Sequence, residues 1–109
     1  MELADLKVKL EVSSLMDTIN GHVLSFTQIV NKGGRLSGQA SLEDESGEQE
    51  DKEADFLIHK EGEDIILQTS VFTGKPQKFK LLISKYSIDF KLAGTSNPHS
   101  DLSYIINTN

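Results

Sequence analysis

The chain has 109 residues, no cysteine, 17 acidic and 11 basic residues, and a formal net charge of -6 at pH 7. This length predicts one domain, residues 1–109, that can bury its own core. The lack of cysteine excludes disulfides, thiolate zinc sites and a cysteine nucleophile. No segment has the apolar length of a membrane span, and the acidic N-terminus does not resemble a signal peptide. We therefore expect a cytoplasmic protein without membrane contact.

The negative charge is concentrated in one stretch. Residues 43–53 carry seven acids against the single base Lys52, a net charge of 1 - 7 = -6, and the rest of the chain has 17 - 7 = 10 acids and 11 - 1 = 10 bases. Because this stretch has no apolar residue, we predict a mobile acidic loop between two strands. A nucleic-acid partner is disfavoured, since phosphate contacts need a basic surface.

The first apolar pattern alternates with polar residues. Leu6, Val8, Leu10 and Val12 occupy every second position, which predicts a strand over 6–12. The competing helix would use Leu3, Leu6 and Leu10 and would leave Val8 and Val12 on its polar side. We therefore favour the strand.

Asn20-Gly21 lies between two apolar runs and is typical of a two-residue type I′ turn. Counting back from this turn pairs Leu15 with Phe26. Leu15 is out of phase with Val12, so we expect a bulge near Ser13-Ser14.

The following strand, RLSGQASL, has small residues on its apolar face. Leu36, Gly38, Ala40 and Leu42 share that face. Gly38 and Ala40 leave space, so we expect a bulky side chain to pack closely over them.

A second hairpin is predicted around Glu61-Gly62, with Ile58 opposite Ile65. The strand that follows the turn is apolar on both faces, through Ile65 on one side and Ile66 on the other. This pattern is typical of a strand that is covered on both sides.

A third hairpin covers Gln77 to Leu92, where two alternating patterns flank Ser84-Lys85. A turn there pairs Ile83 with Tyr86 and places the apolar residues on one face. A last strand contains Leu102, Tyr104 and Ile106. Turn signals about every ten residues predict an all-β antiparallel meander of about eight strands, as a β-sandwich or a small flattened barrel.

Nothing in the sequence indicates catalysis or a cofactor. His22, His59 and His99 have no metal-ligand spacing, and no serine lies in a nucleophile motif. The acidic stretch fails as an EF-hand because Gln49 replaces the required glycine. The glycine clusters match neither dinucleotide-binding nor P-loop spacing. We therefore expect a non-enzymatic protein with no cofactor and no metal.

For function we predict a protein-interaction module, such as an acidic inhibitor, an immunity-type protein or an assembly subunit. The partner would be another protein, a basic one in particular, or a second copy of the chain, bound through the acidic loop, an exposed strand edge or apolar residues on polar faces. The candidate residues are Glu43, Asp44, Glu45, Glu48, Glu50, Asp51, Leu57, Ile66 and Leu82.

The alternative is a barrel or lectin-like domain that binds a small apolar ligand or a sugar. Its pocket would be lined by Phe79, Leu81, Tyr86 and Phe90. The strand order of the C-terminal half loosely resembles galectin-like sandwiches. The chain lacks their H-x-N-x-R run and tryptophan, so no galectin site residue is transferred to it.

Overall fold

The computed structural model describes residues 1–17, 19–94 and 101–108. Eight antiparallel strands follow one another around a closed barrel, in which β8 returns to pair with β1. The all-β meander is therefore confirmed, and the sheet is a barrel. The elements are α1 (Leu3–Glu11), β1 (Ser13–Asp17), β2 (His22–Lys32), β3 (Arg35–Asp44), β4 (Lys52–Glu61), β5 (Asp64–Thr69), β6 (Gln77–Ile83), β7 (Ser87–Leu92) and β8 (Leu102–Thr108).

The strand predicted over residues 6–12 is wrong, because Leu3–Glu11 forms helix α1. Leu3, Leu6 and Leu10 lie on its buried face, whereas Val8 and Val12 are 58% and 48% exposed. Over so short a segment, these apolar positions are compatible both with the two-residue period of a strand and with one face of a helix. The barrel favours the helix, since three leucines on one helical stripe can enter its core together.

Helix α1 plugs one end of the barrel. The β2–β3, β4–β5 and β6–β7 turns lie at this end, and α1 is bonded to two of the neighbouring segments. Lys60 Nζ is 3.9 Å from Glu2 Oε1, and Lys9 Nζ donates a hydrogen bond to the Ser84 carbonyl at 3.4 Å. Leu6, from the middle of the helix, is fully buried. We call this end the plugged end.

The β1–β2 hairpin has a four-residue connection instead of the predicted two-residue turn. Leu15 pairs with Leu24, not with Phe26. The Asp17 carboxylate accepts hydrogen bonds from the backbone amides of Ile19 and Asn20 at 3.0 and 3.3 Å. These bonds stabilise a wider loop than the Asn-Gly pair suggests.

The β4–β5 hairpin turns at Gly62-Glu63, one residue later than predicted. Ile58 therefore pairs with Leu67, and Ile65 pairs with Lys60. Gly62 has a φ of +63°, a conformation that glycine adopts without steric cost. The register shift is two residues, so the predicted inner faces are correct although the predicted pairs are not.

The β6–β7 hairpin also shifts by two residues. Ile83 pairs with Ile88 instead of Tyr86. Ser84 and Ser87 close the turn through a backbone hydrogen bond of 2.9 Å and a hydroxyl contact of 2.9 Å. Tyr86 is thereby left in the turn at the plugged end, 69% exposed.

The bulge lies in β2 and not near Ser13-Ser14. The β2–β3 register shifts between Thr27 and Val30, where Gln28 has a φ of +53°. Gly38 of β3 faces this bulge, and a Cβ atom there would lie 2.5 Å from the Thr27 carbonyl oxygen and 3.0 Å from the Phe56 ring. The expected bulky neighbour of Gly38 is therefore Phe56.

The predicted two-sided burial of the strand after Gly62 is confirmed in β5. Ile65 and Leu67 belong to the barrel core, and Ile66, on the outer surface, is only 5% exposed. The register places Ile66 between His59 of β4 and Lys80 of β6. The methylene chain of Lys80 and the ring of His59 can cover an apolar neighbour while their polar ends stay in water.

We predict that Leu6→Ala lowers the free energy of unfolding by about 3 kcal/mol, because it removes buried methyl groups and leaves a cavity beneath the helix. Val8→Ala, on the exposed face of the same helix, should change it by about 0.5 kcal/mol or less. Urea unfolding of both variants measures the difference. Equal effects would show that α1 does not plug the barrel.

Candidate functional site

In the described part of the chain, the end of the barrel opposite α1 is open and contains a cavity of about 360 Å³. We call it the mouth cavity. Residues of the β1–β2, β3–β4 and β5–β6 connections surround its entrance, and inward-facing strand residues form its interior. The apolar lining consists of Leu42, Phe72, Phe79, Leu92, Leu102 and Tyr104, and the polar lining consists of Asp17, Asn20, His22, Glu43, Asp44, Gln49, Glu50, Lys52, Thr73 and Gln77.

The floor of the cavity is a cluster of aromatic rings. Phe72 meets Phe79 edge-to-face with ring centroids 5.3 Å apart, and its centroid is 6.4 Å from that of Tyr104. Phe90 lies below them, 5.3 Å from Tyr104. Such pairs stabilise the packing beyond the area they bury, so the floor is an ordered apolar surface.

Gln77 is the one polar residue on the inward face of β6. It precedes Phe79 and Leu81 at alternate positions, so its side chain points into the barrel and lines the cavity. Its Oε1 atom is buried and has no hydrogen-bond partner among the described residues. An unpaired buried acceptor costs about 1–3 kcal/mol, a cost that a donor in the cavity would relieve.

The rim of the cavity is acidic. Asp44, at the end of β3, accepts hydrogen bonds from the Ser46 hydroxyl at 2.7 Å and from the Ser46 amide at 3.0 Å. These bonds lower the pKa of the Asp44 carboxyl, because they stabilise its charged form. Lys52 Nζ lies near the rim and donates to the Phe72 carbonyl at 3.5 Å.

Asp17 is the buried acid of the rim, only 7% exposed. Besides the two amides, it accepts a hydrogen bond from the Asn20 side chain at 2.8 Å. The carboxylate is therefore held in one position at the top of β1. Because β1 pairs with both β2 and β8, Asp17 lies beside His22 and near Tyr104.

Tyr104 combines burial with a negative neighbour. It is 2% exposed, and its pKa is raised well above the ordinary value of 10.0, first by burial and second by the charge of Asp17. Both effects disfavour the tyrosinate anion. The phenol at the floor of the cavity is therefore neutral over the physiological pH range.

The acidic residues predicted for partner binding are divided by the structure. Glu43 and Asp44 belong to β3, and the connection to β4 comprises residues 45–51. Glu43, Asp44 and Glu50 line the mouth cavity, whereas Glu45, Glu48 and Asp51 do not. Half of the predicted acidic set thus lies at the cavity.

The residues predicted for ligand binding are also divided. Phe79 lines the cavity. Leu81 and Phe90 are buried in the core, 7% and 0% exposed, and they are not part of the lining. Tyr86 lies at the plugged end, so its assignment to the same face as Phe79 is wrong. Tyr86 lies in the turn because the register of the β6–β7 hairpin is shifted by two residues from the predicted one.

The apolar residues predicted for a partner-binding patch lie on the outer surface of the barrel. Ile66 is nearly buried and Leu57 is half-buried, whereas Leu82 is 40% exposed. The burial of Ile66 agrees with the predicted cover on both sides of its strand. The predicted free strand edge is wrong, since each of the eight described strands pairs on both sides.

The sequence left several lining residues unassigned, among them Asp17, Phe72, Gln77 and Tyr104. One signal was present for Gln77, because a polar residue at an inward position of an apolar strand is unusual. The others are brought together only by closure of the barrel.

No three histidine or acidic side chains group closely enough to hold a metal ion in residues 1–17, 19–94 and 101–108. His22 lines the cavity. His59 pairs with Ile66, not with an acid, and its Nε2 is 3.5 Å from Gln68 Nε2. His99 lies outside the described residues. In the part of the chain that the structure describes, no helix combines the length and apolar character needed to cross a membrane.

No protein family model matches the chain, and comparisons with curated proteins and with solved structures gave no match.

We predict that Tyr104 stays protonated at pH 11 in the folded protein. The test uses Tyr86→Phe, which leaves Tyr104 as the only tyrosine, and follows tyrosinate absorbance against pH. Because the folded pKa of Tyr104 is raised, its contribution to stability is fully present below the unfolded pKa and is lost as pH rises towards the folded pKa. Ionisation near pH 10 without unfolding would contradict the burial of Tyr104.

Proposed function

We propose that the barrel binds a small ligand with an apolar body in the mouth cavity. The observation that carries the proposal is a cavity of about 360 Å³ with an apolar floor and a buried acceptor, Gln77 Oε1, that has no partner among the described residues. This combination of an apolar lining with few convergent polar groups is typical of small-molecule sites.

The size of the barrel supports this proposal. An eight-stranded barrel encloses just enough space for its own side chains or for one small ligand. Here the core side chains and α1 fill the plugged end and the middle, while the cavity lies above Phe79 and Tyr104 at the open end. The volume lies within the usual range for ligand pockets, about 300–1,000 Å³.

Preorganisation is a second supporting feature. Continuous pairing of the strands fixes the positions of Phe79, Leu92, Leu102 and Tyr104, and Phe72 packs against this cluster. A ligand would enter a site that needs little ordering of the protein, so less of the binding free energy would be lost as entropy.

We predict that the uncharged dye prodan binds saturably, with the blue-shifted emission of an apolar environment. Leu92→Trp should weaken binding at least about tenfold, because the larger side chain fills the cavity. Leu82→Trp, the same exchange on the outer surface, should leave the affinity within about twofold. Direct excitation of the dye avoids interference from the new tryptophans.

Loss of binding in Leu92→Trp alone, with both variants folded by circular dichroism, supports the proposal. Absence of saturable binding in the wild-type protein would overturn it. Equal binding by the wild type and Leu92→Trp would show that the dye occupies another place.

We also propose, as a second candidate, that the acidic loop binds a basic protein. The supporting observation is that none of the described salt bridges involves an acid of residues 43–53. These carboxylates are not neutralised within the described part of the chain, and their field would accelerate encounter with a basic surface. In this second proposal the protein meets its basic partner in the cytoplasm.

The second candidate predicts that a basic protein retained at low salt is released as the salt concentration rises. Replacing Glu45, Glu48 and Glu53 by Gln should weaken retention several-fold. The matched control, Asp5→Asn with Glu11→Gln and Glu63→Gln, removes three charges at the plugged end. Quantitative pull-down measures both variants, and equal retention by both would contradict loop-specific docking.

A further inference from the structure

We infer that the ligand of the mouth cavity is an organic cation, with an ammonium group at the rim and an aromatic or aliphatic body on the floor. This inference rests on the proposed binding function and specifies its substrate class. It follows from three properties of the lining: its charge, its hydrogen-bonding groups and the arrangement of its polar and apolar parts.

The charge of the lining is strongly negative. The described lining residues include four acids, Asp17, Glu43, Asp44 and Glu50, and one base, Lys52. With His22 neutral, their sum is 1 - 4 = -3. The Glu43 side chain lies on the outer face of β3, since it alternates with the inward positions of Leu42 and Asp44, and without it the sum is 1 - 3 = -2. These acids border one cavity, so their fields add there. A cation therefore gains energy on entering the cavity, and an anion is repelled.

Two of these acids are fixed in position by hydrogen bonds. Asp17 is held by three donors from its own loop, and Asp44 is held by the amide and hydroxyl of Ser46. Glu43 and Glu50 make no side-chain hydrogen bond within the described residues. The rim thus has fixed charges on β1 and β3, and the exposed carboxylate of Glu50 in the connection can adjust to a bound cation.

The lining offers several hydrogen-bond acceptors to a cationic ligand, beside the N–H groups of its Gln and Asn side chains. Carboxylates accept only, and the unpaired Gln77 Oε1 atom is also an acceptor. The ammonium of Lys52, the strongest donor of the lining, is directed to the Phe72 carbonyl. A ligand that donates through N–H groups complements this surface, whereas a carboxylate or phosphate ligand does not.

The polar and apolar parts of the lining are separated along the barrel axis. The acids lie at the entrance, at the ends of β1 and β3, and the rings of Phe72, Phe79 and Tyr104 lie deeper. A ligand with one charged end and one apolar end matches this order. The ring faces add attraction for a nearby cation.

The test uses prodan-loaded protein and three competitors that share one body: 2-phenylethylammonium, 2-phenylethanol and 3-phenylpropanoate. The ammonium should displace prodan at a concentration about tenfold lower than the alcohol, and the carboxylate should be the weakest competitor. Displacement is measured at near-physiological ionic strength, where distant charges are screened.

Two double variants test whether acids of the cavity lining produce the preference for ammonium. Asp44→Asn with Glu50→Gln removes two carboxylates of the cavity lining, and the preference for ammonium over alcohol should fall about fivefold. Glu45→Gln with Glu48→Gln removes the same charge from the same loop outside the cavity and should preserve the preference within about twofold.

Equal displacement by ammonium and alcohol, with prodan still bound, would overturn the cation inference and leave the binding function intact. Preference for the carboxylate would overturn the cation inference as well. If both double variants lost the preference for ammonium equally, the preference would come from the charge of the whole β3–β4 connection and not from the cavity lining. Failure of prodan to bind at all would instead overturn the binding function on which the inference rests.

Discussion

Closure of the barrel by the β1–β8 pairing is the constraint on which the rest of the structure depends. Ser13 to Met16 pair with Ile105 to Thr108, so residues from the two ends of the chain complete a sheet that would otherwise have two free edges. Closure creates an inside, an outside and two ends. It also brings Asp17 close to Tyr104, two residues that nothing in the local sequence connects.

The two ends of the barrel differ because α1 occupies only one of them. Leu3, Leu6 and Leu10 fill the plugged end, where three tight turns also lie. The open end receives the longer connections, and its inward positions include the polar Gln77 as well as aromatic residues. A cavity at this end is therefore a consequence of chain topology: the helix precedes β1, and β1 begins at the plugged end.

The sequence predicted inner and outer faces better than strand partners. In all three hairpins the predicted register is two residues from the observed one, as in Ile83, which pairs with Ile88 instead of Tyr86. A shift of two residues keeps the residues that remain in strands on their predicted faces, because side chains alternate with a period of two, and it leaves Tyr86 in the turn before β7. The faces follow from hydrophobic alternation, whereas the register depends on turn hydrogen bonds such as those of Asp17 and Ser84.

The candidate site was less predictable for a physical reason. The sequence predicts Phe79 for ligand binding and Glu43 for partner binding, yet both residues line the same cavity. Their proximity requires eight strands to close, and the number of strands around a barrel cannot be read from one strand. Helix α1 was missed on similar grounds, since a nine-residue segment with Leu6 and Leu10 on its apolar face is ambiguous until its packing partner is known.

The most direct test of the account is a titration of the isotopically labelled protein with 2-phenylethylammonium, followed by amide and side-chain NMR spectra. The account predicts saturable shifts at the Gln77 side-chain amide and at the amides of Leu92, Leu102 and Tyr104, with unchanged signals from Leu6 in the plugged end. Shifts confined to exposed positions of the outer surface, or no saturable shift at Gln77, would contradict it.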